Sequence, residues 1–409
     1  MGNFVSLIGI AVILSIAIAL STNRRAINPR IVLSAFALQA AIAAFVLYFP
    51  AGKAMIGGLS AGVQSILDFS NVGINMVFGG LATQEGLFSF AINVLPIIIF
   101  FSALMSVLYH LHIMQWVVKI LGTILHKLIG TQNVESLNAA ANMFVGQTEA
   151  PLVIRPYLGK LTDAQLFTVM VSGLASVAGT VLAAYAQMGI RLDYLLAASF
   201  MAAPGGLLMA KLLMPDDEKN GQEPHEIEPI AEAEEKPHAN VILAAAVGAQ
   251  DGVKLAVNIG AMLLAFVALI AMFNGIVGGV GGWFGLESLT LEKILGYLFA
   301  PVMYLLSIPW SEAQIAGALF GEKLILNEFV AFLHLGEILG EISPRTEAVI
   351  TFSLCGFANV SSIAILLGGL GSLIPSKRDL IAKYGLRAVA AGSLSNLMSA
   401  AMASMLLQF

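Results

Sequence analysis

The sequence predicts an all-α polytopic membrane protein: about eight transmembrane helices plus two re-entrant helical hairpins, arranged as two inverted repeats. Three observations carry that expectation. Of the 409 residues, 58% are hydrophobic and only 11% charged, with a mean hydropathy of +0.88, far from the balance of a water-soluble domain. The apolar residues fall into separate stretches of about 20, the length at which a helix crosses about 30 Å of hydrocarbon. Short motifs of the first half also recur, in the same order, in the second.

The expected crossings run over 4–20, 31–49, 91–111, 167–186, 194–214, 255–276, 348–370 and 386–407. The first lacks a basic leader and a small-residue cleavage site, so it reads as a span rather than a removable signal. Lys and Arg set the orientation. With the odd-to-even connections in the cytoplasm, Arg24, Arg25, Arg30, Lys119, Lys127, Arg155, Lys160, Lys211, Lys219, Lys236, Lys377, Arg378, Lys383 and Arg387 lie inside. Only Lys53, Arg191, Lys293, Lys323 and Arg345 then remain on the other face, and both termini lie outside.

Two further segments, 133–161 and 310–339, are apolar but interrupted near the middle by polar residues. Arms of about a dozen residues reach roughly 18 Å, too short to cross, so each segment is expected to enter and leave by one face. A pair of amphipathic surface helices is the competing reading; its argument is the cost of a carboxylate at depth. The stretch from Asp216 to Lys236 is rich in Asp, Glu and Pro and reads as a flexible cytoplasmic linker.

That linker separates two halves that echo each other. Ala91-Ile92-Asn93-Val94 matches Ala256-Val257-Asn258-Ile259, and Lys119-Ile120-Leu121-Gly122 matches Lys293-Ile294-Leu295-Gly296. Glu149 at the first hairpin tip matches Glu328 at the second, and Gly173-Leu174-Ala175-Ser176-Val177 matches Gly356-Phe357-Ala358-Asn359-Val360. Three crossings per half is an odd number, so the second copy lies upside down. Inverted repeats with interrupted helices at matching places mark secondary transporters, with the site near the midplane.

The chemistry concentrates at the interruptions. The first tip reads Val145-Gly146-Gln147-Thr148-Glu149-Ala150-Pro151, where Gly146 permits the reversal and Pro151 falls in the first turn of the return arm. The second reads Leu326-Asn327-Glu328-Phe329, an N-cap residue followed by a carboxylate. Capping at a surface would explain either Glu, but at bilayer depth a carboxylate costs about 3 kcal/mol, which favours a functional role. Mid-span, Ser176-Val177-Ala178-Gly179-Thr180 and Asn359-Val360-Ser361-Ser362 place small polar residues in apolar surroundings. Ser176 alone would also serve helix packing, whereas the Asn359 amide requires partners. The motifs hold no Lys or Arg, an inventory suited to a neutral, multiply hydroxylated ligand.

Other classes fare worse. A single cysteine, Cys355, precludes an intrachain disulfide, and the scattered basic residues argue against a nucleic-acid partner. His110, His112 and His126 have no acidic or Cys partner at metal spacing, which favours structural roles. Uniformly apolar spans argue against a channel, and no nucleophile–base arrangement supports an intramembrane hydrolase; no enzyme is expected.

Gly146-Gln147-Thr148-Glu149-Ala150-Pro151, Asn327-Glu328-Phe329-Val330-Ala331 and Gly356-Phe357-Ala358-Asn359-Val360-Ser361-Ser362 together closely resemble the concentrative nucleoside transporters, from about the third span onward. The resemblance implies a bacterial, sodium-coupled nucleoside symporter of the inner (plasma) membrane, without the extra N-terminal spans of eukaryotic members. It implies an elevator-like, alternating-access mechanism in a homotrimer. It implies that Gln147, Thr148 and Glu149 meet the nucleobase beside Val181, and that Glu328, Asn359 and Ser362 hold the ribose hydroxyls with Phe357 lining the pocket. A sodium ion is implied between Asn142, Ser176 and the carbonyls of Val145 and Val177, an oxygen set that argues for sodium over protons. Transport of another small neutral solute such as a nucleobase, or proton coupling, are the alternatives. On this footing the chain divides into peripheral N-terminal spans (1–90), the third span with an interfacial helix at 117–129 as scaffold (91–132), and the first hairpin with its transport helices (133–214). The acidic linker (215–240), the sixth span with an amphipathic segment (241–309), and the second hairpin with its transport helices (310–409) follow.

Overall fold

Helix ends in the N-terminal region follow from local chemistry. The computed structural model describes residues 2–83, 89–216, 238–283, 285 and 289–407, so most of the expected linker lies outside the described residues. After α1 (Gly2–Ala19), the Asn23 side chain accepts from Arg25 N. Then α2 (Pro29–Leu47) starts where Asn28 caps Arg30 N and Pro29 has no N–H to leave unpaired. Next, α3 (Pro50–Phe78) is a 29-residue helix absent from the expected crossings. Lys53, Asp68 and interspersed Gly and Ser dilute its apolar content below the level that marks a span.

Past α4 (Gly80–Thr83) and one π-helical turn, Phe90–Val94, come α5 (Leu95–His110) and α6 (Ile113–Ile129), the interfacial helix, which starts ahead of the expected 117. The first hairpin pairs α7 (Asn133–Ala141) with a return arm, Ala150–Lys160, that is 3-10 rather than α. Pro151 opens that arm and Pro156 interrupts it, each removing a backbone donor. One expected crossing is two helices, α8 (Asp163–Ala175) and α9 (Gly179–Gln187); α10 (Leu192–Leu213) follows, buried almost throughout.

The second half repeats the order. The 42-residue α11 (Val241–Gly282) extends well beyond the expected 255–276, because Asp251 and Lys254 lower the hydropathy without ending the helix. After α12 (Leu291–Leu305), the second hairpin is α13 (Trp310–Ile325) and α14 (Glu328–Glu337). The expected crossing 348–370 is broken mid-span, around Asn359 as its polar residues suggest: α15 (Pro344–Leu354), a break, and α16 (Ser361–Gly368), followed by the short α17 (Leu370–Leu373) and α18 (Arg378–Leu406). Among the described residues, six helices are long and apolar enough to cross a bilayer. The other two expected crossings are represented by the shorter apolar helices Phe4–Ala19 and Ser361–Leu373.

At the centre α10 and α18 pack on each other and on α8, and α18 packs on α15 as well, so the two broken helices flank one core. The first two helices join it: α1 lies on α18, and Gln39 Nε2 of α2 donates to Ser399 Oγ of α18 (3.0 Å). A separate pair is formed by α5 and α11. A Cβ at Gly252 would lie 2.6 Å from Ile99 Cα, so only glycine permits this approach, and Ser106 Oγ donates to Ala244 O (2.7 Å) across it. The outer face of α11 exposes Val257, Leu264, Met272 and Ile276, a surface for lipid or protein rather than water.

Two of the cations read as orientation charges are buried inside the protein. Lys211 is buried and pairs with Glu135 (2.6 Å) and Asp216 (2.7 Å), tying the foot of the first hairpin to α10. Lys323 is wholly buried in the last turn of α13, so it contributes nothing to the charge of the outer face. His126 Nδ1 lies 2.6 Å from Thr131 O, a local structural contact.

Candidate functional site

Each broken helix exposes carbonyls and amides that a continuous helix would have paired internally. At the first break Ser176 is extended (φ −111°, ψ 170°), and Gly179 N donates to Phe144 O in the tip of the first hairpin (2.9 Å). At the second, Val360 N donates to Leu324 O beside the other tip (3.0 Å). The breaks also bond to each other, Phe357 N donating to Ser176 O (3.1 Å). Each hairpin is thus docked on the break of its own repeat, and the repeats meet at the centre. Asn396 of α18 fastens the junction: its Nδ2 donates to Ala175 O (2.7 Å) and Cys355 O (2.8 Å), at the ends of α8 and α15. A Cβ at Gly356 would lie 2.3 Å from Asn396 Oδ1, so any larger residue there displaces that amide.

Polar side chains gather around this junction. Asn327 Oδ1 accepts from Val330 N (2.9 Å), capping α14 and setting Glu328 as its first residue. The Glu328 carboxylate is buried; Oε2 accepts from Asn359 Nδ2 (3.0 Å) and Oε1 from Tyr185 OH (3.2 Å). Asn359 Oδ1 accepts in turn from Ser362 N and Ser361 Oγ, both at 2.7 Å. Gln147 Nε2 donates to Ser362 Oγ (3.4 Å), joining the first hairpin to the second repeat. Gln147, Glu328, Asn359 and Ser362 are therefore one connected cluster.

The remaining expected residues surround it unequally. Val181 is buried on α9, one turn before Tyr185. Thr148 packs on Gly369, whose Cβ position lies 2.6 Å from Thr148 Cγ2, and Phe357 is half-buried. Glu149 is exposed and accepts from Gly146 N (3.4 Å), closing the tip on itself. The two carboxylates that the repeat makes counterparts thus differ, one buried and one open.

Asn142, Val145, Ser176 and Val177 are all buried around the first break. Asn142 Nδ2 donates to Asn138 O (2.9 Å), while Asn142 Oδ1, Asn138 Oδ1 and Gln147 Oε1 are buried acceptors without a protein partner. Asn142 Oδ1 lies 3.7 Å from the Cβ position of Gly173, in the last turn of α8. Unpaired amide oxygens beside an interrupted helix form a hard-oxygen environment that fits a small alkali cation.

Four participants were not among the expected residues. Tyr185 falls four residues after Val181 and Asn138 four before Asn142, both legible as the same helix face. Lys323 stands just outside the Asn327-Glu328 motif, and Asn396 carries no signal beyond being an amide in an apolar helix.

A buried polar cluster where two inverted repeats meet, built from hairpin tips and helix breaks, defines a secondary transporter. The chain matches the C-terminal part of the Na+ dependent nucleoside transporters over residues 194–404, their N-terminal part over 8–81, and a nucleoside recognition gate over 91–191. It belongs to that family. It is 50% identical over 411 residues to the nucleoside permease NupC of Helicobacter pylori, covering 98% of this chain and 97% of that one. The fold superposes on CNTnw in an inward-facing substrate-bound state with a TM-score of 0.94 and 51% identity, covering 99% of this chain and 98% of that one. A doubly substituted CNTnw in an outward-facing state gives 0.95, with 51% identity and 99% of each chain covered. The protein is a sodium-coupled nucleoside transporter of the bacterial inner membrane, not an enzyme.

Proposed function

We propose that one nucleoside is held across the junction of the repeats, its base by Gln147, Thr148 and Glu149 beside Val181, its ribose hydroxyls by Glu328, Asn359 and Ser362 beside Phe357. The observation that carries this reading is the Glu328–Asn359–Ser362–Gln147 cluster, in which a buried carboxylate keeps acceptor capacity after its two protein contacts. Sodium is coordinated by Asn142, Ser176 and the carbonyls of Val145 and Val177; the unpartnered Asn142 Oδ1 supports it.

Movement is elevator-like, carrying the two hairpins, broken helices, α10 and α18 past the α5–α11 pair. An apolar cavity of about 200 Å³ between α3, α5, α10 and the first hairpin, lined by Leu59, Val63, Phe101, Met105, Met143 and Phe144 among others, supports sliding without loss of polar contacts. The exposed apolar face of α11 supports assembly as a homotrimer around a static scaffold. Burial of Lys323 leaves still fewer cations on the outer face, which supports both termini lying outside.

Equilibrium binding of radiolabelled nucleosides, with and without sodium, tests the site. Sodium is expected to tighten every nucleoside, and loss of both ribose hydroxyls to weaken binding. A 2′,3′-dideoxynucleoside that binds as tightly as its parent overturns the ribose assignment.

A further inference from the structure

Lys323 has no exposed surface, yet among the described residues its Nζ donates to two oxygens, Ser353 O and Asn396 Oδ1, each at 2.7 Å, with the Phe320 ring centroid at 5.8 Å. None of the ion pairs among the described residues includes it. Lysine normally carries its charge to water along its flexible stem, and burying it away from a contacting carboxylate is costly. Such a group persists where its hydrogen bonds have a task.

Its place in the repeat indicates the task. The first arm of the first hairpin ends at Asn142, whose unpartnered Oδ1 faces the last turn of α8. The first arm of the second hairpin carries Lys323 in its last turn, and the Lys323 Nζ donates to the last turn of α15. In both repeats a hairpin arm therefore meets the C-terminal turn of a broken helix, where the dipole is negative and the final carbonyls lack intrahelical partners. In the first repeat the Asn142 amide oxygen beside that turn has no protein donor. In the second the Lys323 amine donates to Ser353 O in that turn. The Asn396 amide spans the two ends, donating to Ala175 O and Cys355 O while accepting from Lys323.

We propose that Lys323 is a positioning residue for the nucleoside site, a tethered amine that clamps the hairpin arm to the helix end at the second break as the transported sodium does at the first. It holds the end of α15 against the second hairpin, so that Asn359 beyond the break and Glu328 beyond the tip stay in register for the ribose. This rests on the sodium and ribose half-sites proposed above. The ribose half-site is tested by the parent's discrimination against a 2′,3′-dideoxynucleoside and the sodium half-site by the sodium dependence of Asn142→Ala, results that no Lys323 variant alters.

The test compares full-length Lys323→Met and Lys323→Ala with the parent in equilibrium binding of uridine, adenosine and, separately, sodium. Lys323→Met is expected to weaken uridine and adenosine by the same factor, about tenfold or more, while sodium affinity without nucleoside stays within about twofold. Lys323→Ala is expected to show the same loss, and millimolar ethylammonium to restore its nucleoside affinity toward that of the parent. Lys323→Met, whose side chain fills the space, should not respond. Recovery of folded Lys323→Ala only in the presence of ethylammonium also supports the proposal. Parental nucleoside affinity in Lys323→Met, equal loss of nucleoside and sodium binding, or a Lys323→Ala protein indifferent to the amine overturns it. Misfolding of both variants with the amine present overturns it too, since Lys323 is then a general structural residue.

Discussion

Glu328→Gln probes the ribose half-site with almost no change of shape. In the parent, Oε1 accepts from Tyr185 OH at 3.2 Å and Oε2 from Asn359 Nδ2 at 3.0 Å. A glutamine keeps both contacts in one orientation, its oxygen accepting from Asn359 and its amide donating to the tyrosine hydroxyl. It loses the charge and the second acceptor oxygen. A carboxylate offers about four lone-pair positions, so about two remain for substrate hydroxyls; the amide oxygen offers about two, of which one remains. Hydrogen bonds to a charged group contribute about 1.5–3 kcal/mol and neutral ones about 0.5–1.5 kcal/mol. Losing one of the former and weakening the other costs about 3 kcal/mol, roughly a hundredfold in Kd. The assay is competition binding of several nucleosides and their 2′,3′-dideoxy counterparts to parent and variant in sodium. Every nucleoside should weaken by a similar factor with the order of bases preserved, while the dideoxy compounds lose far less. A reordered series, or an equal loss for the dideoxy compounds, refutes the reasoning.

Glu149→Gln should instead change the ranking among bases, because it turns one acceptor into a donor at the exposed tip; a uniform loss across bases would reverse the assignment of the two carboxylates. Asn142→Ala or Ser176→Ala should raise the sodium concentration for half-maximal uptake by about ten- to a hundredfold, the value of one contact to a charged species, and an unchanged sodium dependence removes the residue from the ion site. Tyr185→Phe deletes a donor to Glu328 and should weaken all nucleosides by about 1 kcal/mol, or about fivefold; unaltered binding constants would detach Tyr185 from the site. Gly356→Ala puts a methyl 2.3 Å from Asn396 Oδ1 and forces that amide off Ala175 O and Cys355 O. It should destabilise the protein by about 3 kcal/mol, and a thermal midpoint equal to the parent's contradicts the packing described.

The crossing helices were legible because hydropathy is a local property, summed over about 20 neighbouring residues. The same locality explains the misses. Polar and small residues hide α3, and Asp251 with Lys254 conceal the true length of α11, although none of them ends a helix. Both helix breaks and both hairpin tips could be placed from Gly146, Ser176, Asn327 and Asn359, since small and polar residues mid-span change what the backbone can pair with locally. The equivalence of Glu149 and Glu328 followed from the repeat, but their difference in burial did not. Lys323 read as an outer-face charge because nothing in the surrounding sequence distinguishes a loop lysine from a buried one.

By itself, then, the sequence determined the membrane class, the inverted repeats, the hairpins and the family, all of which rest on composition and the order of short motifs. Only the tertiary structure decided which polar groups meet. Gln147 finds Ser362 across 215 positions, Tyr185 finds Glu328 across 143, and Lys323 finds Asn396 across 73. Each pairing depends on how every intervening helix packs and where each break turns the chain, and a contact made by that sum leaves no trace in the periodicity of either partner's own segment.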